Sequence, residues 1–254
     1  MRIRFTEADI QQMRALGIDR ARVLEELSTF HKSDFSARLS RPCTLGDGVR
    51  KIEEDQSDEY LKIHKEAAEQ GRFMKFVPAS GAASRMFQSL LQIYYLPQFL
   101  ERDELYKRVD QEVAIACDFL RFLDGLNRFA FVDDLRSNVE QDGLSLDEMV
   151  REGQYRAILE YLLTKRGLNY GCLPKALLKF HSYGDEQRTA FEEQLAESVK
   201  YLGRRRCKLH FTAPEDHADS FKNHMEEVAT RYRQRFGVEF EITYSFQKHS
   251  TNTI

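Results

Sequence analysis

The sequence predicts an α/β chain: a mostly parallel sheet with helices on both faces, interrupted by a large helical insertion. Three observations carry this expectation. Strand patterns at 73–77, 176–180, 207–212 and 239–246, the last alternating in character, are separated by stretches of helical period, as parallel neighbours require, because they are joined by crossover connections. The run at 73–77 passes directly into small residues and then into the helical spacing Met86, Phe87, Leu90, Leu91. Between 97 and 168 nearly everything has helical period.

Taken in order, Thr6 with Asp9 reads as a capping box that opens a helix closed by Gly17. Asp19 caps a second helix through Val23, Leu24 and Leu27 towards Phe30. The Pro- and Gly-punctuated loop SRPCTLGDG at 40–48 then leads to an acidic helical stretch at 57–70. Inside the insertion, Val113, Ala116, Cys117, Leu120 and Leu123 form one apolar stripe and Tyr155, Ile158, Leu159 and Leu162 another, while Ser145 with Glu148 offers a further capping box. After Pro174 the pattern predicts a strand at 176–180, a helix at 188–202, a strand at 207–212, a helix at 214–236 and a last strand at 239–246. The expected organisation is an N-terminal helical segment, 1–72, followed by an α/β core, 73–254, with the insertion at 97–168.

Composition narrows the function classes. The chain has 254 residues, enough for one large core with elaborations, and a formal charge of −3 with both signs mixed, so no nucleic-acid-binding surface is expected. Cys43, Cys117, Cys172 and Cys207 show no CxxC spacing, which argues against a disulfide framework and a zinc knuckle. The segment MRIRFTEADIQQM lacks the apolar core of a secretory leader, and no apolar run approaches the roughly 18 residues that span a bilayer. A soluble, cytoplasmic protein with no membrane partner is the expectation, and the oligomeric state is left open.

The segment most suggestive of chemistry is KFVPASGAASRM, a strand, a tight turn and a helix start. Pro78, Ala79, Ser80, Gly81, Ala82, Ala83 and Ser84 are all small, so a ligand can approach the backbone closely, and free N–H groups at a helix start favour an anion. Arg85 adds a cation with several donors, suited to a triphosphate or a pyrophosphate leaving group. The residues alone leave equally open an ordinary connection in which the alanines pack and Arg85 is solvated. No Gly-Lys-Ser/Thr follows, and the spacing is not that of the dinucleotide glycine fingerprint. Ser80 and Ser84 lack the G-x-S-x-G context of a nucleophile, so phosphate contact is the better role.

Other candidates carry less. Arg41, Thr44 and Asp47 in the 40–48 loop form a candidate substrate loop, although Asp47 before Gly48 also makes an ordinary turn. His181, His210, His217, His224 and His249 show no i, i+4 pair, so no metal site is expected from them. Arg204, Arg205 and Arg206 read as a solvated turn.

The octet Ala79 to Met86 resembles the A-G-G-x-G-T/S-R-M signature of sugar-nucleotide pyrophosphorylases, with Ser80 and Ala83 in place of glycines. Pro174-Lys175 resembles the Pro-Lys pair that follows the signature in that superfamily, here delayed by the helical block. The segment LHFTAPEDHADSFKN, with Thr212, is similar to their later strand-turn-helix, and Gln247 resembles their strand-ending, base-reading glutamine. The resemblance implies a Rossmann-like, GT-A-like nucleotidyltransferase core. In it Arg85 and Lys175 would be catalytic on phosphates, and Ala79, Ser80, Gly81, Ala82, Ala83, Ser84, Thr212 and Gln247 would bind the nucleotide. Nucleotide or nucleotide sugar is the implied partner, and transfer to a sugar 1-phosphate the implied reaction. A non-catalytic nucleotide-binding or scaffold protein that keeps the fold is the alternative. Over nearly its full length the chain also resembles the N-terminal half of the bacterial family called domain of unknown function 4301, through FVPASGAASRMF, TLGDG and LPK. That resemblance implies a chain truncated at its C-terminus, with Mg²⁺ as cofactor and its carboxylate ligands beyond Ile254.

Overall fold

A computed structural model describes residues 4–32, 38–96, 101–202 and 206–247. The described residues form two compact units, those up to Arg72 together with Gln247, and those of Phe73–Phe246.

The first unit starts with α1 (Glu7–Ala15), where the Thr6 hydroxyl accepts from the Asp9 N–H and the Asp9 carboxylate accepts from the Thr6 N–H. This satisfies donors that a helix start leaves orphaned. In α2 (Arg20–Phe30) the Asp19 side chain accepts from the Ala21 N–H. The two-residue strands β1 (Thr44–Leu45) and β2 (Gly48–Val49) pair within the 40–48 loop and its exit, and α3 (Glu54–Glu69) follows. It begins earlier than its acidic sequence predicts.

In the second unit β3 (Lys75–Pro78) leads through a turn to α4 (Gln88–Tyr95). The helical block then comprises α5 (Arg102–Asp110), α6 (Ala114–Asp124), α7 (Val132–Gln141), α8 (Leu146–Glu152) and α9 (Tyr155–Leu163). The apolar stripes read from the sequence do meet: Ala116, Phe119, Leu135, Val139, Ile158, Leu159 and Leu162 are fully buried in one core. The expected start of this block at Pro97 lies outside the described residues.

Beyond Pro174 the structure corrects the reading. A parallel strand at 176–180 does not form. Lys175–Leu177 is a single 3₁₀ turn, and β4 (Lys179–Tyr183) pairs antiparallel with β5 (Glu186–Thr189). The physical reason is visible in the burial, since four of the five β4 residues are exposed, whereas a central parallel strand is covered on both faces. Gly184, at φ +73°, turns the hairpin through Gly184-Asp185, a two-residue signal of this kind. Helix α10 (Ala190–Tyr201) therefore starts later than expected, and α11 (Ala218–Phe236) follows a 3₁₀ turn, Glu215–His217. Between them lies β6 (Arg206–Pro214), and β7 (Glu239–Gln247) ends the described chain. Arg204 and Arg205 lie outside the described residues.

The sheet proper has three strands in the order β3-β6-β7, with β3 and β6 parallel. The side-chain pairs Arg206 with Glu241 and His210 with Thr243 and Ser245 advance in the same sense along β6 and β7, as parallel neighbours do. Cys207, Leu209, Phe211 and Ala213 of β6 bury one face against Phe191 and Leu195 of α10 and Phe221, Met225, Val228 and Tyr232 of α11. The other face carries Phe76 stacked on His210 at 5.4 Å, and its side chains are exposed or half-buried. The mixed α/β class is as expected; the sheet is smaller, and in the second unit it is covered by α10 and α11 on one face only. Two separate cores result, where the sequence suggested one sheet core with an insertion.

Candidate functional site around the small-residue turn

The turn leaves β3 at the C-terminal end of the strand. Pro78 is the register partner of Thr212, and the Ala79 N–H donates to the Thr212 carbonyl at 2.8 Å. Ala79 and Ala83 point inwards, 7% and 1% exposed, while Gly81, Ala82, Ser84 and Arg85 face outwards. Met86 and Phe87 both donate their N–H groups to the Ala83 carbonyl, and regular helix begins only at Gln88. The expected helix N-terminus at Met86 is therefore a turn, and its donors are individual: the N–H groups of Gly81, Ala82, Ser84 and Arg85 meet no acceptor among the described residues.

The structure brings Pro174-Lys175 to this turn. Ala82 and Pro174 form an antiparallel bridge; the Lys175 N–H donates to the Gly81 carbonyl at 3.0 Å and the Ala83 N–H to the Leu173 carbonyl at 3.3 Å. The connection between α9 and Pro174 explains the placement. It folds back along the end of α9, with Leu168 N–H donating to Tyr161 O (2.7 Å), Tyr170 to Leu162 O (3.0 Å) and Gly171 to Leu163 O (3.1 Å). These bonds occupy carbonyls that a helix C-terminus would otherwise leave without donors. The backbone approach is so close that a Cβ on Gly167 would lie 2.1 Å from the Tyr161 carbonyl oxygen. Asn169, at φ +56°, turns the chain so that its carbonyl accepts from Cys172 and Leu173. Sequence reading passed over this KRGLNYG segment, although its two glycines beside a helix end were the available signal.

Neither Arg85 nor Lys175 has an ion-pair or hydrogen-bond partner for its side chain among the described residues. Lys175 is half-buried at the head of its 3₁₀ turn, anchored by Ala176 in the sheet core, and Arg85 is exposed beside a shallow depression lined by Ser84, Gln88 and Tyr95. Arg85 and Lys175 thus carry their charges on the two segments that the backbone bonds join, while the depression beside Arg85 does not include Lys175. Gln247 is the last residue of β7. In the first unit, Arg41 grips Asp47 through two bonds of 2.7 and 2.8 Å, and Thr44 and Asp47 exchange backbone hydrogen bonds, so the Asp47 carboxylate is engaged within its own loop.

The turn and Leu173 to Lys175 carry no carboxylate, and among the described residues no group of three or more His, Cys, Asp and Glu is placed to hold a metal ion. The described donors do not fit a protein-held Mg²⁺. His210 bonds Thr243 and Ser245, His224 bonds the Thr189 hydroxyl, and His249 lies outside the described residues. None of the four cysteines is in a disulfide among the described residues, with Cys43 and Cys172 exposed and Cys207 buried. No helix of the described residues is long and apolar enough to cross a membrane.

Comparison with curated proteins and with solved structures returned no match. A family model described as "Domain of unknown function (DUF4301)" matches residues 6–254, and the chain belongs to that family.

Proposed function

We propose that the turn from Ala79 to Arg85, together with Lys175, binds the phosphates of a nucleoside triphosphate or nucleotide sugar, on a core related to the GT-A-like nucleotidyltransferases. The observation that carries this reading is the backbone pairing of Gly81, Ala82 and Ala83 with Leu173, Pro174 and Lys175. A signature-like turn and a Pro-Lys pair, separated in sequence by the whole helical block, lie side by side, which supports the reading. The outward N–H groups and two unpaired cations supply donors and charge, and the turn sits at the C-terminal end of a parallel strand, where α/β sheets hold ligands. Arg85 offers fork geometry to terminal phosphate oxygens, Lys175 a point charge, and Ala79 and Ala83 keep the turn packed down.

Catalysis of nucleotidyl transfer to a sugar 1-phosphate is the activity proposed for this site. The test is thermal unfolding with a panel of nucleoside triphosphates and nucleotide sugars, with and without Mg²⁺. A ligand at a hundredfold excess over its dissociation constant stabilises by about 2.7 kcal/mol, a shift of a few degrees. Arg85→Ala and Lys175→Ala should each weaken that ligand at least tenfold without lowering the apo melting temperature. The absence of any shift across the panel, or full binding by both variants, overturns the reading.

A further inference from the structure

A second concave site lies in the helical half of the second unit, lined in part by Met86 and Phe87, which follow the turn in the chain. Residues of α4, α6, the 128–131 segment, Tyr170 and the start of β4 enclose a half-open cavity of about 470 Å³, within the range of small-molecule sites. Its walls are aromatic. Phe129 stacks on Phe131 at 5.0 Å with planes 16° apart, Phe122 lies 5.5 Å from Phe129, and Tyr170 meets Phe131 edge-on at 5.3 Å. Phe122, Phe131 and Tyr170 are buried, while Phe129 and Phe180 at the mouth are each left 39% exposed. Apolar rings held open to water in a concave wall are a cost unless something flat covers them.

The charges at the cavity are unequal. Lys179 is paired with Asp134 at 2.7 Å and Asp118 with Arg121 at 2.9 Å, so both are already compensated. Arg128 has no ion-pair partner among the described residues. Its guanidinium lies over Gly125, where a Cβ would come within 3.0 Å of Nη2, so the glycine leaves the room this side chain occupies. The Tyr170 hydroxyl, 95% buried residue and all, accepts from the Lys179 N–H at 3.3 Å and keeps its own proton without an acceptor among the described residues. One unpaired cation and one spare hydroxyl donor beside flat aromatic walls select for a flat ligand with one negative group.

We propose that this cavity binds a planar aromatic acid, its rings against Phe129 and Phe131 and its anionic group on Arg128. The site is independent of phosphate binding at the turn. The probe pair is 8-anilinonaphthalene-1-sulfonate and the uncharged N-phenyl-1-naphthylamine, titrated by calorimetry and fluorescence into the full chain. The sulfonate should bind once per chain; Arg128→Gln should weaken it about tenfold while changing the uncharged probe less than twofold, and Phe129→Ala should weaken both. Arg85→Ala should leave both unchanged, which separates this site from the turn. Arg128 is exposed, so its variant tests charge without disturbing a core. Several weak sites indifferent to Arg128→Gln and Phe129→Ala, or loss of binding in Arg85→Ala, would overturn the proposal.

Discussion

Replacing Gly167 by alanine tests how the Pro174-Lys175 segment is held. The backbone of Gly167 has no positive φ, so the substitution meets no conformational penalty of that kind. The obstacle is contact alone: the new Cβ would lie 2.1 Å from the Tyr161 carbonyl oxygen and 2.8 Å from its carbon, where about 3.0 Å is the closest approach real Cβ atoms show. The 166–171 connection must therefore move off the end of α9 by nearly an ångström, stretching the 2.7 Å bond from Leu168 to Tyr161. Overpacking of this kind costs about 1–3 kcal/mol and the hydrogen bond about 1 more, giving about 2–4 kcal/mol out of a typical total of 5–15. Urea unfolding followed by far-UV circular dichroism measures it. Gly143→Ala is the control, since Gly143 sits at φ +73° with nothing within 4 Å of its Cβ, and should cost only about 1 kcal/mol. Amide exchange at Ala83 and Lys175 should accelerate in Gly167→Ala alone, because their bonds join the displaced segment to the turn. A Gly167→Ala protein as stable as the wild type, or less affected than Gly143→Ala, would refute the account.

Glu186 is held down to about 2 by hydrogen bonds from Arg188 and then Arg235. Its stabilisation is therefore complete above the ordinary carboxylate value and is lost as pH falls from about 4.5 towards 2; with the side chain 31% exposed, solvent screening reduces it to about 1–2 kcal/mol. Unfolding titrations should show Glu186→Gln weaker than wild type at pH 7, with the gap closing below pH 4.5; a constant gap would contradict the assignment. At the start of α10, Thr189 and Glu192 form a buried capping box whose Thr189 hydroxyl also shares a 3.0 Å hydrogen bond with His224, so Thr189→Ala should cost about 1–2 kcal/mol and Thr189→Ser much less, by the same urea assay. Burial pushes the Cys207 thiol up, so in native protein Cys43 and Cys172 should react with a thiol reagent while Cys207 waits for unfolding. Native-state labelling of Cys207 at the same rate would count against the sheet core as described.

Local features were legible in the sequence because their causes are local. The caps at Thr6, Asp19 and Ser145 each rest on a side chain and an N–H a few residues away; Thr6 and Asp19 cap as read, while at Ser145 the hydroxyl accepts from the Glu148 N–H and the reciprocal half of the expected box does not form. The stripes of the helical block likewise follow from helical period, and strand patterning marked β6 and β7, the latter by its alternation. The strand expected at 176–180 failed because a short mixed run is compatible with either a parallel strand or a hairpin, and the hairpin cue, Gly184-Asp185, sits after it. The turn at Ala79 to Arg85 could be singled out by its small residues, yet whether it has a neighbour could not. That neighbour is set by the return of the chain along α9, through Gly167 and Asn169, which places Lys175 against Gly81. The aromatic cavity beside Arg128 was equally hidden, since its walls come from five separate stretches of chain. Residue types and short spacings determined which segments are helix, strand or turn; which segments touch depended on packing two apolar cores at once, a condition no short window of sequence contains.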